Sequence, residues 1–181
     1  DIPRWYGMKK EEVIKDIVYK NFYRNDLANK LSNDIHKDLI KKLEEQYFTS
    51  SKITLIHPTL PEYLTKLRQN NIKVTLNTGY PSVIQKQLID KFNMKEYIDD
   101  FISSDEVKYG RPYPYMIHKL MERNEIKNVK AVAKIGDTFN DIDEGRNAGC
   151  GQIFSVLSGI TRNFYNAKTD FVINNIVDIK Y

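Results

Sequence analysis

A single cysteine, Cys150, among 181 residues has no partner for an internal disulfide. That excludes the disulfide-stapled secreted scaffolds and fits a reducing compartment. No apolar run nears the ~20 residues needed to span a bilayer, and the N-terminus carries no signal-peptide pattern. The expectation is therefore a soluble, cytoplasmic protein with no membrane partner. Lysine and arginine never stack into a long block, and a formal charge of +4 is a mild excess for this length. The electrostatic footprint of a nucleic-acid binder is missing. The three histidines, His36, His57 and His118, stand in unrelated settings without metal-ligand spacing. Internal repeats and low-complexity tracts are also absent.

What is present is enough for a proper core: 41% of the residues are hydrophobic and 29% charged. Residues 8–49 contain neither glycine nor proline, and apolar positions such as Val13, Ile17, Leu27, Leu31, Ile35 and Leu39 recur at steps of three and four. This predicts two or three amphipathic helices, a small all-helical module over residues 1–50. From Pro58 the texture changes. "PTLPEYLTKLRQN", "PSVIQKQLIDKF" and "PYMIHKLMERN" read as helices. "IKVTLNTGY" and "VKAVAKIGD" read as buried strands, "DFISSDEV" and "QIFSVLSG" as further strands, and "DFVINNI" as an edge strand. Alternating strands and helices over 51–181 predict an α/β fold with a mostly parallel sheet. In such sheets ligands bind beyond the carboxyl ends of the strands, where "NTGY", "SSDEV" and "GDTFND" fall.

The chemistry-bearing residues lie at those ends. Asp137 and Asp141 are four apart, so one helical face can carry both. They suit either capping of a helix N-terminus or a Mg²⁺ site, since Mg²⁺ takes one or two protein carboxylates and completes its shell with water and phosphate. Asp143 is expected on the solvent side. In "LNTGY", Thr78 and Gly79 fit an ordinary turn or a seat for phosphoryl oxygens. In "YGRPYP", Arg111 is either a surface residue or a guanidinium that binds an anion and offsets repulsion among the aspartates. Cys150 has no neighbouring base and is assigned no role. Trp5 and Tyr6 fit packing between module and core, or a substrate wall.

Taken in order, Thr-Gly, then Gly-Arg-Pro, then Gly-Asp-Thr-x-x-Asp resembles motifs II, III and IV of the haloacid dehalogenase superfamily over nearly the whole chain. The resemblance implies a Rossmann-like core with a helical cap and Mg²⁺-dependent phosphohydrolase chemistry. Arg111 stands where most members carry lysine. With "NTGY" and "GDTFNDIDEGRNAG" this looks like the phosphonatase branch, which includes phosphonoacetaldehyde hydrolase. By that resemblance Asp137 and Asp141 hold Mg²⁺, Thr78 and Arg111 serve catalysis, and Gly79 and Tyr80 contact a small phosphorylated or phosphonate substrate. Gly7 and Lys10 match the branch's cap-loop Gly and Schiff-base Lys, although Val13 stands where that enzyme has His and Tyr6 where it has Met. Lys10 is therefore a catalytic and substrate-binding candidate, with a surface lysine or a phosphate contact as the alternatives.

The superfamily's motif I, Asp-x-Asp-Gly-Thr or a variant, supplies the nucleophile, and no such run occurs in these residues. The chain starts at Asp1, already entering the cap by comparison. The family's motif I strand lies between those of motifs II and IV, so two strand edges should stand unpaired without it. The expectation is a segment of a longer enzyme, with no hydrolysis from the 181 residues alone. The alternatives are a chain that borrows the strand and an inactive relative with a binding or assembly role. A homodimer is left open.

Overall fold

The computed structural model describes residues 2–22, 26–49 and 53–180. The helical stretch near the N-terminus forms two helices, α1 (Lys10–Asn21) and α2 (Asp26–Phe48). Their apolar stripes meet through Ile14, Val18 and Ala28, with Tyr19, Leu31 and Leu39 around them. Residues 1, 23–25 and 50, which the predicted helical module also includes, lie outside the described residues.

The remainder alternates strand and helix: α3 (Leu60–Gln69), β1 (Thr75–Thr78), α4 (Ser82–Lys91), β2 (Asp100–Ser103), α5 (Tyr115–Arg123), β3 (Ala133–Gly136), α6 (Phe139–Ala148), β4 (Gln152–Val156) and β5 (Phe171–Ile173). Pro61 sits in the first turn of α3, where its missing N–H costs nothing. Every strand pairing is parallel, as the βα alternation requires.

The strands do not form one sheet. β1 pairs with β2, while β3, β4 and β5 form a second ladder. Among the described residues no backbone ladder joins β1 to β3. The two strands expected to be buried accordingly fall short of it. β1 is half-buried along its whole length, and β3 is buried only at Lys134. By contrast, β4, flanked on both sides, is buried from Ile153 to Val156.

Helix α5 ties the two ladders together. Met116 and Leu120 pack on Ile102 of β2, while Ile117 joins Ile142 of α6 and Ile153 of β4. A separate core of Leu60, Leu64, Val74 and Ile89 backs β1 with α3 and α4. The helical pair is fastened to α4: the Lys91 ammonium donates to the Tyr47 carbonyl at 2.8 Å, and the Gln87 amide to Glu44 at 3.0 Å. No helix among the described residues is long and apolar enough to cross a membrane.

Helix α6 ends on Gly149, which adopts a left-handed conformation with φ +84° and donates its N–H to Gly145 and Arg146. A Cβ there would meet only Val129, at 3.7 Å. The cost of Gly149→Ala is therefore conformational and amounts to about 1 kcal/mol. Urea denaturation should show a lower midpoint with an unchanged slope.

Candidate active site

The strand tips converge on a buried cluster of four charges. Arg111, Lys134, Asp141 and Glu144 are 5%, 6%, 4% and 0% exposed, so water screens none of them. The Arg111 Nη1 lies 2.7 Å from Asp141 Oδ1, and its Nε lies 3.3 Å from Glu144 Oε2. Lys134 Nζ stands 3.0 Å from Asp141 Oδ1 and 2.8 Å from Glu144 Oε2. Two cations and two carboxylates thus balance.

Asn77 of β1 completes the network. Its side-chain amide donates to both Glu144 oxygens at 2.9 Å, and its Oδ1 accepts from Lys134 at 2.7 Å. Its backbone carbonyl accepts from Arg111 Nη2 at 2.9 Å. Side chains, not a backbone ladder, therefore connect β1 to β3.

Asp141 serves several partners at once. Thr138 is the N-cap of α6, and its hydroxyl accepts from the Asp141 N–H. Asp141 Oδ2 in turn accepts from the Thr138 N–H at 3.2 Å and from its hydroxyl at 2.5 Å. This is a capping box with Asp in the place usually held by Glu. Burial would push the Asp141 carboxyl up, but Arg111, Lys134 and the Thr138 hydroxyl overcome it and hold it at about 2. Capping and charge pairing are thus both real uses of this carboxylate.

Asp137 stands outside this network: its Oδ2 accepts the Ile160 N–H at 2.8 Å, and its charge acts on the Tyr80 hydroxyl. Asp143 is exposed, as its sequence position suggested. Among the described residues no group of three or more His, Cys, Asp or Glu side chains could hold a metal ion. Mg²⁺ usually takes only one or two protein carboxylates, a smaller set than that.

Arg111 is no surface residue. Its Nε, buried, has no acceptor in line despite the nearby Glu144 oxygen, so one charged donor has no hydrogen bond. One residue beyond Asn77, the half-buried Thr78 takes the Tyr80 N–H on its hydroxyl at 3.2 Å. Gly79 is buried, with the carbonyls of Gly7 and Met8 so close that no side-chain carbon would fit on it.

Those carbonyls belong to a strap, residues 4–9, that lies across the strand tips. Gly7, at φ +77°, rests against Thr138 and Arg111. Just beyond it, the Lys10 ammonium stands 5.5 Å from the centre of the Tyr80 ring. The Tyr80 hydroxyl is 2.6 Å from that of Tyr47 on α2. Burial first, and the Arg111 charge second, push the Lys10 ammonium below the ordinary lysine range. Burial and the Tyr47 hydrogen bond push the Tyr80 phenol up. The structure thus draws Lys10, Gly79, Tyr80, Arg111 and Asp141 to the strand tips with Thr78, and Asp137 lies near Tyr80 with one oxygen bonded to the β4–β5 loop.

Sequence reasoning passed over Asn77, Lys134, Asn140, Glu144 and Tyr47. Two of them were visible. Lys134 interrupts the apolar strand "AVAKIG", where a charge must find a partner. Glu144 lies three residues after Asp141, on the same helix face.

Parallel strands alternating with helices, their functional groups gathered at the strand tips, are those of a Rossmann-like α/β fold. The haloacid dehalogenase-like hydrolase family model matches residues 2–149, and the chain belongs to that family. It is 34% identical over 131 residues to phosphonoacetaldehyde hydrolase of Parabacteroides distasonis, covering 69% of this chain and 50% of that protein. It is likewise 34% identical over 112 residues to bifunctional phosphonoacetaldehyde hydrolase/aminoethylphosphonate transaminase of Clostridioides difficile, covering 61% of this chain and 18% of that protein. The chain spans half or less of the length of these two curated relatives. Among solved structures, a phosphonoacetaldehyde hydrolase-like protein from Oleispira antarctica shares the fold with TM-score 0.76 at 22% identity, over 95% of this chain and 73% of that one. A β-phosphoglucomutase from Clostridium difficile does so with TM-score 0.74 at 17% identity, over 99% and 76%.

Removing one member of the buried cluster leaves an uncompensated charge. Lys134→Ala should cost about 3 kcal/mol. Lys134→Met combined with Glu144→Gln removes one charge of each sign and should cost less than the two single changes summed. Urea midpoints of the wild type, the two single variants and the double variant measure this coupling.

Proposed function

We propose that the chain carries the phosphoryl-binding face of a Mg²⁺-dependent hydrolase acting on a small phosphorylated or phosphonate substrate. The observation that carries this reading is Arg111: a buried guanidinium held by Asp141 and Glu144 and bonded to the residue before Thr78. A guanidinium fixed in place beside a Thr-Gly turn suits a phosphoryl anion. The Thr78 hydroxyl and the Gly79 N–H, at the end of β1, grip phosphoryl oxygens beside it. The relatives' printed names support the substrate class.

Asp137 would hold the cation directly. Asp141, with Oδ1 engaged by Arg111 and Lys134 and Oδ2 by Thr138, acts through its charge. When bound, Mg²⁺ offsets negative charge developing at phosphorus. No motif I aspartate occurs in residues 1–181, so the attacking carboxylate comes from outside them. Its attack on phosphorus expels the leaving group and forms an aspartyl-phosphate, which water then hydrolyses. Among the described residues β1 pairs only with β2 and β3 only with β4, which supports this account. Residues 1–50 act as the cap and 51–181 as the core. The cap brings Lys10 over Tyr80 and keeps water from the reacting centre. With its proton affinity lowered, the Lys10 amine is suited to condense with an aldehyde substrate as a Schiff base.

A second reading has an observation of its own. Both Asp141 oxygens are engaged within the protein, as expected of a scaffold that has kept its ion cluster for stability and binds or assembles without turnover.

Mg²⁺ titration separates the two. The cation should raise the melting temperature of the wild-type chain, and Asp137→Asn should abolish the rise, while neither protein hydrolyses p-nitrophenyl phosphate. A melting temperature indifferent to Mg²⁺ favours the scaffold reading, and brisk turnover would remove the external nucleophile.

Borohydride trapping with phosphonoacetaldehyde tests Lys10. A covalent adduct on Lys10, absent from Lys10→Ala, is expected. An adduct that survives the substitution removes the Schiff base.

A further inference from the structure

Asn140 occupies the first turn of α6, between the N-cap Thr138 and the cluster carboxylate Asp141, yet takes part in neither arrangement. It is 9% exposed. Both protons of its side-chain amide leave the helix and go to the strap. One is donated to the Arg4 carbonyl at 2.9 Å, the other to the Tyr6 carbonyl at 2.7 Å. An amide has two donor protons, and here both are used on backbone 134 and 136 residues away.

The strap has two further attachments. On one side the Lys9 ammonium donates to the Val107 carbonyl at 3.1 Å, and just beyond the strap Glu12 of α1 accepts the Gly110 N–H at 3.3 Å. On the other side the Gly7 and Met8 carbonyls press on Gly79. Gly7 sits between these ties, its φ of +77° open to glycine at little cost. Lys10 begins α1 immediately after the strap. Its place against Tyr80 is thus set by how the preceding six residues are held.

We propose that Asn140 is a positioning residue. Its side-chain amide fastens the 4–9 strap across the strand tips and so fixes where Lys10 stands relative to Tyr80 and Arg111. The assignment rests on Lys10 facing the substrate, but the clamp itself needs neither metal nor turnover.

The carbonyls that Asn140 holds belong to the bonds cut by trypsin after Arg4 and by chymotrypsin after Tyr6, so proteolysis reads the clamp directly. Asn140→Leu keeps the number and branching of the side-chain heavy atoms and removes both donors. Cleavage at both sites should then accelerate about tenfold or more, because two hydrogen bonds no longer oppose opening. The pKa of Lys10, followed by the ¹³Cε resonance, should rise toward the ordinary lysine value as the ammonium regains water. The environment that this readout samples is the Tyr80 ring and the Arg111 guanidinium. Gly7→Ala, whose Cβ would stand 2.6 Å from the Thr138 hydroxyl, should loosen the same strap from its other side.

Strap cleavage within twofold of wild type in folded Asn140→Leu overturns the clamp, and an unmoved Lys10 pKa overturns the positioning role. If Asn140→Leu does not fold, Asn140→Ser keeps one donor and should give an intermediate rise, and a wild-type rate there is equally fatal. An accelerated strap without Mg²⁺ response or borohydride adduct leaves the clamp standing and removes the catalytic reading. A tight strap together with a Lys10 adduct does the reverse.

Discussion

Arg111 and Lys134 carry two positive charges into a place that water does not reach, and Asp141 and Glu144 meet them there. Nearly every other feature of the strand tips follows from that neutral group of four. Desolvating these charges is expensive, and a buried pair returns the cost only when its geometry is good and its remaining donors and acceptors are met. Asn77 and Thr138 meet most of them. The exception is the Arg111 Nε. A buried network is least comfortable where it is incompletely satisfied, and the one atom of this network without a hydrogen bond lies 3.3 Å from a Glu144 oxygen.

Much of the fold could be read from the residues because the period of the apolar positions changes sharply at Pro58. The helical repeat before it and the βα alternation after it correspond to α1, α2 and the five parallel strands. The strand depths were less legible. "VTLN" and "AVAKI" look like central strands, yet β1 is only half-buried and β3 is buried at one residue. Apolar content tells which way a strand faces, while burial depends on what pairs with its edge, and that is set by residues far away in the chain. At the site, Thr78, Arg111 and Asp141 stood out through the resemblance of their segments to motifs II, III and IV. Asn77 and Asn140 were not. Each is a short amide at a loop or helix start, where local hydrogen bonding is the commoner use, and their partners lie 57 to 136 residues away.

The strap adds a constraint that the four charges do not impose. Gly7, Met8 and Lys9 lie against all three motif segments at once: Gly79 of the first, Gly110 and Arg111 of the second, and Thr138 of the third. Three tips that come from separate βα units are thereby held at one spacing by a single piece of backbone. Glycines stand at two of these contacts, Gly79 and Gly110, and the strap meets both where a Cβ would collide. The closeness of the fit places the Lys10 ammonium in surroundings that lower its proton affinity.

The two ladders are joined by contacts of different kinds, and the difference matters. Helix α5 joins them through apolar side chains, and such contacts are strong in sum but tolerant of sliding, because burial of apolar area has no preferred direction. The bonds from Asn77 to Lys134 and Glu144, and from Arg111 to Asn77 and Asp141, are directional, and they weaken steeply when misaligned. Apolar packing therefore brings β1 and β3 to the same side of the molecule, and the ion cluster determines their register. A site that must place a threonine hydroxyl, a guanidinium and a carboxylate within reach of one small anion needs the second kind of contact. Register fixed by side chains also leaves the inner backbone edges of β1 and β3 free of each other, so their tips can be aligned before anything else occupies the space between them.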